Sequence, residues 1–211
     1  MQHSDTIIAE LEEAVRSGSA EKRVSTLRQV TNLFLYDGER LNETQIKVFD
    51  DVLCVLVARV ETRVRAELSE RLASIDHSPV ELINRLAHDD EITVAGHVLT
   101  HSSRLTTNTL VEIANTKGQE HLMAISGRAN LPEMVTDVIV NRGENRVIRR
   151  LAGNTTARFS ETGYSTMVSR AENDDELTEL LGLRFDLPRR RAQDSLSGGT
   201  RHQRAAAAAD R

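Results

Sequence analysis

Residues 71–140 read RLASIDHSPV ELINRLAHDD EITVAGHVLT HSSRLTTNTL VEIANTKGQE HLMAISGRAN LPEMVTDVIV. Two prolines stand in this stretch, Pro79 and Pro132, 53 residues apart; the third and last proline of the chain, Pro188, lies 56 residues further on. Each gap is close to twice 27, and half-way between the prolines fall Leu105-Thr106 and Phe159-Ser160. Aligning the chain on Ser78, Leu105, Leu131, Phe159 and Leu187 brings Pro79, Thr106, Pro132, Ser160 and Pro188 to one position. Proline suits the first turn of a helix, where its missing N–H would have had no intrahelical partner. Thr and Ser offer a capping hydroxyl at the same kind of boundary. Two chemistries thus serve one local need, and a fixed period of this size is the mark of stacked repeats.

The register holds on both sides of the anchor. Six and seven residues before it lie Arg71-Leu72, Val98-Leu99, Ala124-Ile125, Ala152-Gly153 and Leu180-Leu181. Most are small or apolar, as the buried face of a first helix requires. After the anchor come Leu82-Ile83, Leu110-Val111, Val135 with Val138, and Tyr164 with Met167-Val168. Each unit is therefore a helix, a short corner and a second helix. Neither helix buries its stripe alone, so neighbouring units must stack. Upstream, Ser4-Asp5 opens a helix carrying Ile7, Ile8, Leu11 and Val15, which Gly18 ends. Ser19 caps a second, with Val24, Leu27, Val30 and Leu33 in a stripe that runs to about Tyr36; Asp37-Gly38 is a turn, and Asn42 caps a third with Ile46, Phe49, Leu53 and Leu56 on one face.

No strand-like alternation bounded by hairpin turns occurs. The fold class expected is all-α: an α-solenoid of helix-pair repeats with a period of about 27 and N-terminal capping helices. The expected divisions are 1–44 for helices that pack on or cap the solenoid, 45–188 for the repeats, and 189–211 for a basic, alanine-rich, mostly disordered tail.

Composition narrows the function classes. A chain of 211 residues buries a real core without staples. Its one cysteine, Cys54, excludes an internal disulfide and sits in an apolar run, as a packed, inert thiol does. The N-terminus shows no basic-then-apolar targeting segment, and the longest apolar run, which stops before Arg59, is too short to span a membrane. These features point to the cytoplasm. The net charge of −5 is unevenly spread: residues 141–170 hold six arginines against two acids, and residues 171–186 hold one against six. With no Trp and two Tyr, the chain lacks the stacking platforms and the broad basic surface of a nucleic-acid binder.

Taken together, Arg71-Leu72-Ala73, Pro79, Leu86-Ala87-x-Asp89-Asp90, Val94-Ala95, Val98-Leu99, Leu110-x-x-Ile113-Ala114, His121, Ile125-x-x-Arg128, Asp137, Val147, Leu151-x-x-Asn154 and Arg184-x-Asp186-Leu187-Pro188 carry a resemblance. Over roughly residues 45–188 the chain resembles the HEAT-like helical-repeat domain of unknown function common in alphaproteobacteria. The resemblance implies an α-solenoid and no recognised enzymatic activity.

The candidates for chemistry are few. His88-Asp89-Asp90 is similar to the His-Asp pair of metal-dependent phosphohydrolases, but such a site needs further ligands from other helices. The plainer reading is an inter-repeat loop, with Asp89 or Asp90 capping the helix near Ile92. His97 and His101, at i and i+4, share a helix face and would hold zinc only with a third ligand such as His121 or Asp89. Arg128 and Arg184 both begin Arg-x-x-Leu-Pro and read as corner arginines that satisfy helix-end carbonyls. No metal, cofactor or catalytic residue is expected.

The feature that the repeat does not require is an arginine face: Arg142, Arg146, Arg149, Arg150 and Arg158. Guanidinium groups at helical spacing can bind a phosphate, a nucleic-acid backbone or an acidic helix. The plain alternative is a solvated face paired with acids of the next repeat, Asp174 to Glu176. The expectation is a non-catalytic adaptor or regulatory protein that meets an unidentified protein partner through this surface or through the acids of Asp174–Glu179. The competing expectation is a receptor for a phosphate-bearing ligand, either a nucleotide messenger or nucleic acid, through the same arginines. A metal-dependent hydrolase comes third. The N-terminal helices leave two roles open, a cap on the repeats or a homodimer contact.

Overall fold

The computed structural model describes residues 19–184. Among them are eleven α-helices and no strand: α1 Ala20–Asp37, α2 Glu43–Val57, α3 Thr62–Leu72, α4 Val80–Ala87, α5 Ile92–His101, α6 Thr107–Thr116, α7 Gln119–Ser126, α8 Glu133–Arg142, α9 Asn145–Gly153, α10 Glu161–Ala171 and α11 Asp175–Gly182. A single 3-10 turn, Gly38–Arg40, follows α1. The expectations for Ile7–Val15, Leu187-Pro188 and the tail at 189–211 lie outside the described residues. No described helix is long and apolar enough to cross a membrane.

Caps explain where the helices begin. Ser19 accepts the Lys22 N–H at 3.2 Å. Asn42 and Gln45 form a reciprocal capping box, each side chain taking the other's backbone N–H at 3.0 Å. Thr106 and Ser160 accept the N–H groups of Thr109 and Gly163 at 3.2 and 2.9 Å. The two prolines differ from the sequence expectation by one place. Pro79 and Pro132 occupy the N-cap positions of α4 and α8 rather than the first turn, and neither supplies a side-chain acceptor. At α4 the acceptor comes from another helix: the buried Asp50 carboxylate of α2 takes the N–H groups of Glu81 and Leu82 at 2.9 and 2.8 Å.

Two compact units divide the chain between Ile113 and Ala114, within α6. In the first, α1 packs on α2, α2 on α4, α3 on α5, and α4 on both α3 and α5. In the second, α7, α9 and α11 form one row and α8 and α10 the other, with α9 touching α7, α8 and α11. Packing on the next helix but one is consistent with a helical repeat. The core is aliphatic, as the scarcity of aromatics requires. Leu72, Leu82, Ile83, Val98 and Leu99 are sealed from solvent in the first unit, and Ile125, Val135, Val147 and Leu151 in the second. In α8 the buried face is Val135, Thr136, Ile139 and Val140, not Val135 with Val138. Thr136 belongs inside because its hydroxyl donates to the Arg158 carbonyl at 2.7 Å. Cys54 is half-buried; burial, with Asp50 beside it, pushes its thiol up to about 11.

Polar staples join successive helices and corners of the same row within each unit. Ser69 Oγ donates to the Val94 carbonyl at 2.6 Å, Arg104 Nε to the Ser78 carbonyl at 3.1 Å, and Ser103 Oγ to Asp76 at 2.8 Å. Asn154, the C-cap of α9, donates through Nδ2 to the carbonyls of Ser126 and Arg128 at 2.9 and 2.6 Å. Arg184, only 6% exposed, reaches the carbonyls of Ala152, Asn154 and Ala157 at 3.2, 2.7 and 2.9 Å and lies 4.7 Å above the Phe159 ring. It serves as the corner arginine that its sequence context implies.

Candidate functional site

Helix α9 is short and strongly two-sided. Val147, Ile148, Leu151 and Ala152 face the core, so Arg146, Arg149 and Arg150 are left on the outer side. Glu144 is its N-cap, without a side-chain capping bond; the Glu144 N–H instead donates to Gln119 Oε1 at 2.9 Å. The five expected arginines then separate into distinct roles.

Arg142, at the end of α8, donates to the carbonyls of Ala114 and Lys117, the latter at 3.3 Å. Its own carbonyl accepts from Gln119 Nε2 at 3.0 Å. This is corner chemistry, and it ties the residue to the fold rather than to an open face. Arg146 is half-exposed and pairs with Glu120 at 2.5 Å and with Glu144 at 3.7 Å. Arg149 places Nε 3.0 Å from both carboxylate oxygens of Asp174 and Nη1 2.7 Å from Glu176. Hydrogen bonding from Arg149 holds the Asp174 carboxyl below the usual carboxylate range; burial opposes this, and the Leu177 N–H adds to it at 3.0 Å. Asp174 thereby caps α11 through Oδ1 and anchors α9 through both oxygens of the same carboxylate. Arg158 is exposed, and its described contacts are main-chain ones: its N–H to the Leu131 carbonyl at 2.9 Å and its carbonyl to Thr136.

Arg150 is different. It is exposed, and among the described residues its side chain has no acidic partner. Its guanidinium lies against Gly127, the C-cap of α7: a Cβ there would meet Nη2 and come within 3.0 and 3.1 Å of Nε and Cζ. Around it opens a cleft of about 390 Å³, lined by Ser126, Gly127, Arg149, Arg150, Gly153, Asn154 and Thr155. No acid lines it. A larger hollow of about 590 Å³ between α1 and the α2–α3 corner mixes Arg28 and Arg59 with Glu21 and Glu61, and Arg28 is already paired with Glu67 at 2.6 Å.

The segment from Val94 to residue 210, more than half of the chain, matches the model of a family described as "Uncharacterised protein conserved in bacteria (DUF2336)". The chain belongs to this family. Helices α6 to α11, and with them the whole cleft, fall inside the matched residues, whereas the resemblance traced in the sequence begins near residue 45 and ends at 188. No curated protein and no solved structure matches the chain.

The histidine and aspartate candidates are dispersed. Asp89 pairs with Arg65 at 2.7 Å and accepts the Glu91 N–H at 3.1 Å. The N-cap of α5 is Glu91, so neither Asp89 nor Asp90 holds the capping position expected. His88 bonds to the Asn84 carbonyl at 2.8 Å and stands 3.7 Å from Glu112. Among the described residues no three His, Cys, Asp or Glu side chains converge to hold a metal. Sequence reasoning had no signal for Asp50, whose target helix starts 30 residues later, or for Gln119. Nor had it one for the guanidinium that lies on Gly127.

Proposed function

We propose that the chain is an α-solenoid of HEAT-like repeats that acts in the cytoplasm as a non-catalytic adaptor or regulatory protein, binding another protein through its repeat surface. The observation that carries this reading is the recurrence of one unit. Helices α4, α6, α8 and α10 begin at 80, 107, 133 and 161, and the staples between successive corners join residues such as 78 and 104, 126 and 154, and 157 and 184. Proteins built of such repeats usually work by presenting a surface to a partner. The α9–α11 side, with Arg146, Arg150, Asp175 and Glu179 exposed, offers both signs of charge for specific pairing.

The test is affinity capture from a lysate with the wild-type chain and with an Arg146→Glu/Arg150→Glu variant. The expected result is one reproducibly enriched protein that the variant loses while its helix content and melting temperature hold. Equal capture by both chains, or no enrichment across conditions, refutes the assignment. A second reading, a receptor for a phosphate-bearing ligand, is favoured by one observation: Arg150 stands in a cleft that no acid among the described residues lines.

A further inference from the structure

The arginines of 142–158 do not form a continuous cationic track. Arg142 is used on carbonyls, and Arg146 and Arg149 are neutralised by Glu120, Glu144, Asp174 and Glu176. A polymeric backbone needs several free cations in a row, because each neutralised phosphate adds to affinity. What remains at α9 is Arg150, a guanidinium with no acidic partner among the described residues, over a small polar cleft.

We infer that this cleft is the site of a single phosphoryl group, as carried by a phosphorylated side chain or a small phosphate monoester; the inference rests on the second reading above. Arg150 supplies the planar fork that matches two phosphoryl oxygens. Thr155, exposed on the cleft wall, supplies a hydroxyl donor. Arg149 reaches the same cleft with Nε and Nη1 already engaged, so it borders the ligand without competing for Arg150. Gly127 and Gly153 contribute no side chain, which leaves the oxygens room to approach the guanidinium. Asn154 fixes the shape of the cleft. Its Nδ2 holds the Ser126 and Arg128 carbonyls, and its Oδ1 takes the N–H and hydroxyl of Thr156 at 3.1 and 2.8 Å. The cleft is thus pre-built by contacts that a ligand need not disturb.

Gly127 gives a test that leaves the charge in place. Its φ of −83° accepts alanine, and the three atoms nearest to the added methyl all belong to the Arg150 guanidinium, the end of a flexible, exposed side chain. Gly127→Ala therefore displaces the guanidinium and spares the fold. The experiment follows arginine Nε–Hε signals by NMR during titration of the full chain with inorganic phosphate. The wild type should show a saturable shift at Arg150. Arg150→Gln and Gly127→Ala should each bind at least about tenfold more weakly, as the loss of charge-assisted hydrogen bonds entails, with unchanged melting temperatures. Arg158→Gln should bind as the wild type does.

A phosphoserine peptide and a short single-stranded DNA serve as further arms. Tighter binding of the peptide than of phosphate assigns the site to phosphorylated protein; equal binding assigns it to a free monoester. DNA binding that exceeds both and falls steeply with salt overturns the isolated-group assignment. So does a phosphate shift that survives Arg150→Gln, or none at all. Retained partner capture beside absent phosphate binding would sink this site and leave the adaptor reading standing.

Discussion

At the scale of the residue, the sharpest constraints come from groups that look unremarkable in sequence. Gly143 and Gly118 both lie at helix boundaries in the second unit. Both have negative φ, so neither is there for a left-handed backbone. Their surroundings differ. A Cβ on Gly143 would sit 2.7 Å from the Ile139 carbonyl oxygen, 3.0 Å from Ile148 Cδ1 and 3.1 Å from Val147 Cγ1, whereas a Cβ on Gly118 would meet nothing within 4 Å. The Ile139 carbonyl already accepts the Gly143 N–H at 2.7 Å and cannot retreat freely. Gly143→Ala is expected to cost about 1–3 kcal/mol, the usual range for forcing a methyl into a filled site, and Gly118→Ala to change stability by less than about 0.5 kcal/mol. Urea unfolding of the two variants checks this. Equal midpoints would show that the α8–α9 corner is looser than its contacts indicate.

At the scale of the element, helix ends are completed from outside the helix. Helix α4 takes its capping carboxylate from Asp50 of α2, and α10 receives Asp137 of α8 on its Ser160 hydroxyl at 2.6 Å. Helix α11 caps itself with Asp174 but shares that carboxylate with Arg149 of α9. This sharing sets a pH dependence. The folded Asp174 carboxyl titrates below its ordinary value of 3.8, so the unfolded chain binds a proton more readily than the folded one. Its stabilising effect is therefore complete above about pH 4 and is lost as pH falls through the folded value. Arg149→Gln removes the main cause of the depression. The stability gap between wild type and Arg149→Gln should be constant between pH 5 and pH 7, the range set above the ordinary carboxylate value, and should narrow below about pH 4. Urea midpoints measured across that range decide it. A gap that stays constant down to pH 2, or widens, would show that Asp174 is not the group concerned. The sequence made the pairing partly legible, since acids at 174–176 follow the arginines at one repeat's distance. It could not show that a single acid cap would engage Arg149 and leave Arg150 free. That outcome depends on side chains one position apart pointing to different neighbours.

At the scale of the whole molecule, the all-helical architecture was readable because two independent signals agreed. The recurrence of Pro79, Thr106, Pro132 and Ser160 located the corners, and the apolar stripes located the buried faces. Leu72, Leu99 and Ile125, picked by register, are sealed from solvent as a stacked helix face demands. The division between Ile113 and Ala114 had no such signal: it falls inside α6, with no proline, glycine or charge run to mark it. The cleft was illegible for a similar reason, since it is made where the ends of α7 and α9 meet, 23 residues apart from Gly127 to Arg150. Repeat packing also predicts how damage spreads. In a stacked array each helix is stabilised chiefly by its immediate neighbours, so a cavity should weaken those first. Leu151 of α9 is fully buried, and α9 packs on α7, α8 and α11. Leu151→Ala should cost about 2–5 kcal/mol. In native-state hydrogen exchange, amide protection should fall in α9 and also in α7, α8 and α11, while the melting transition moves down. Protection lost in α9 alone would mean that the helices of this unit are held by local propensity rather than by one another, and the stacked-repeat account of the second unit would fail with it.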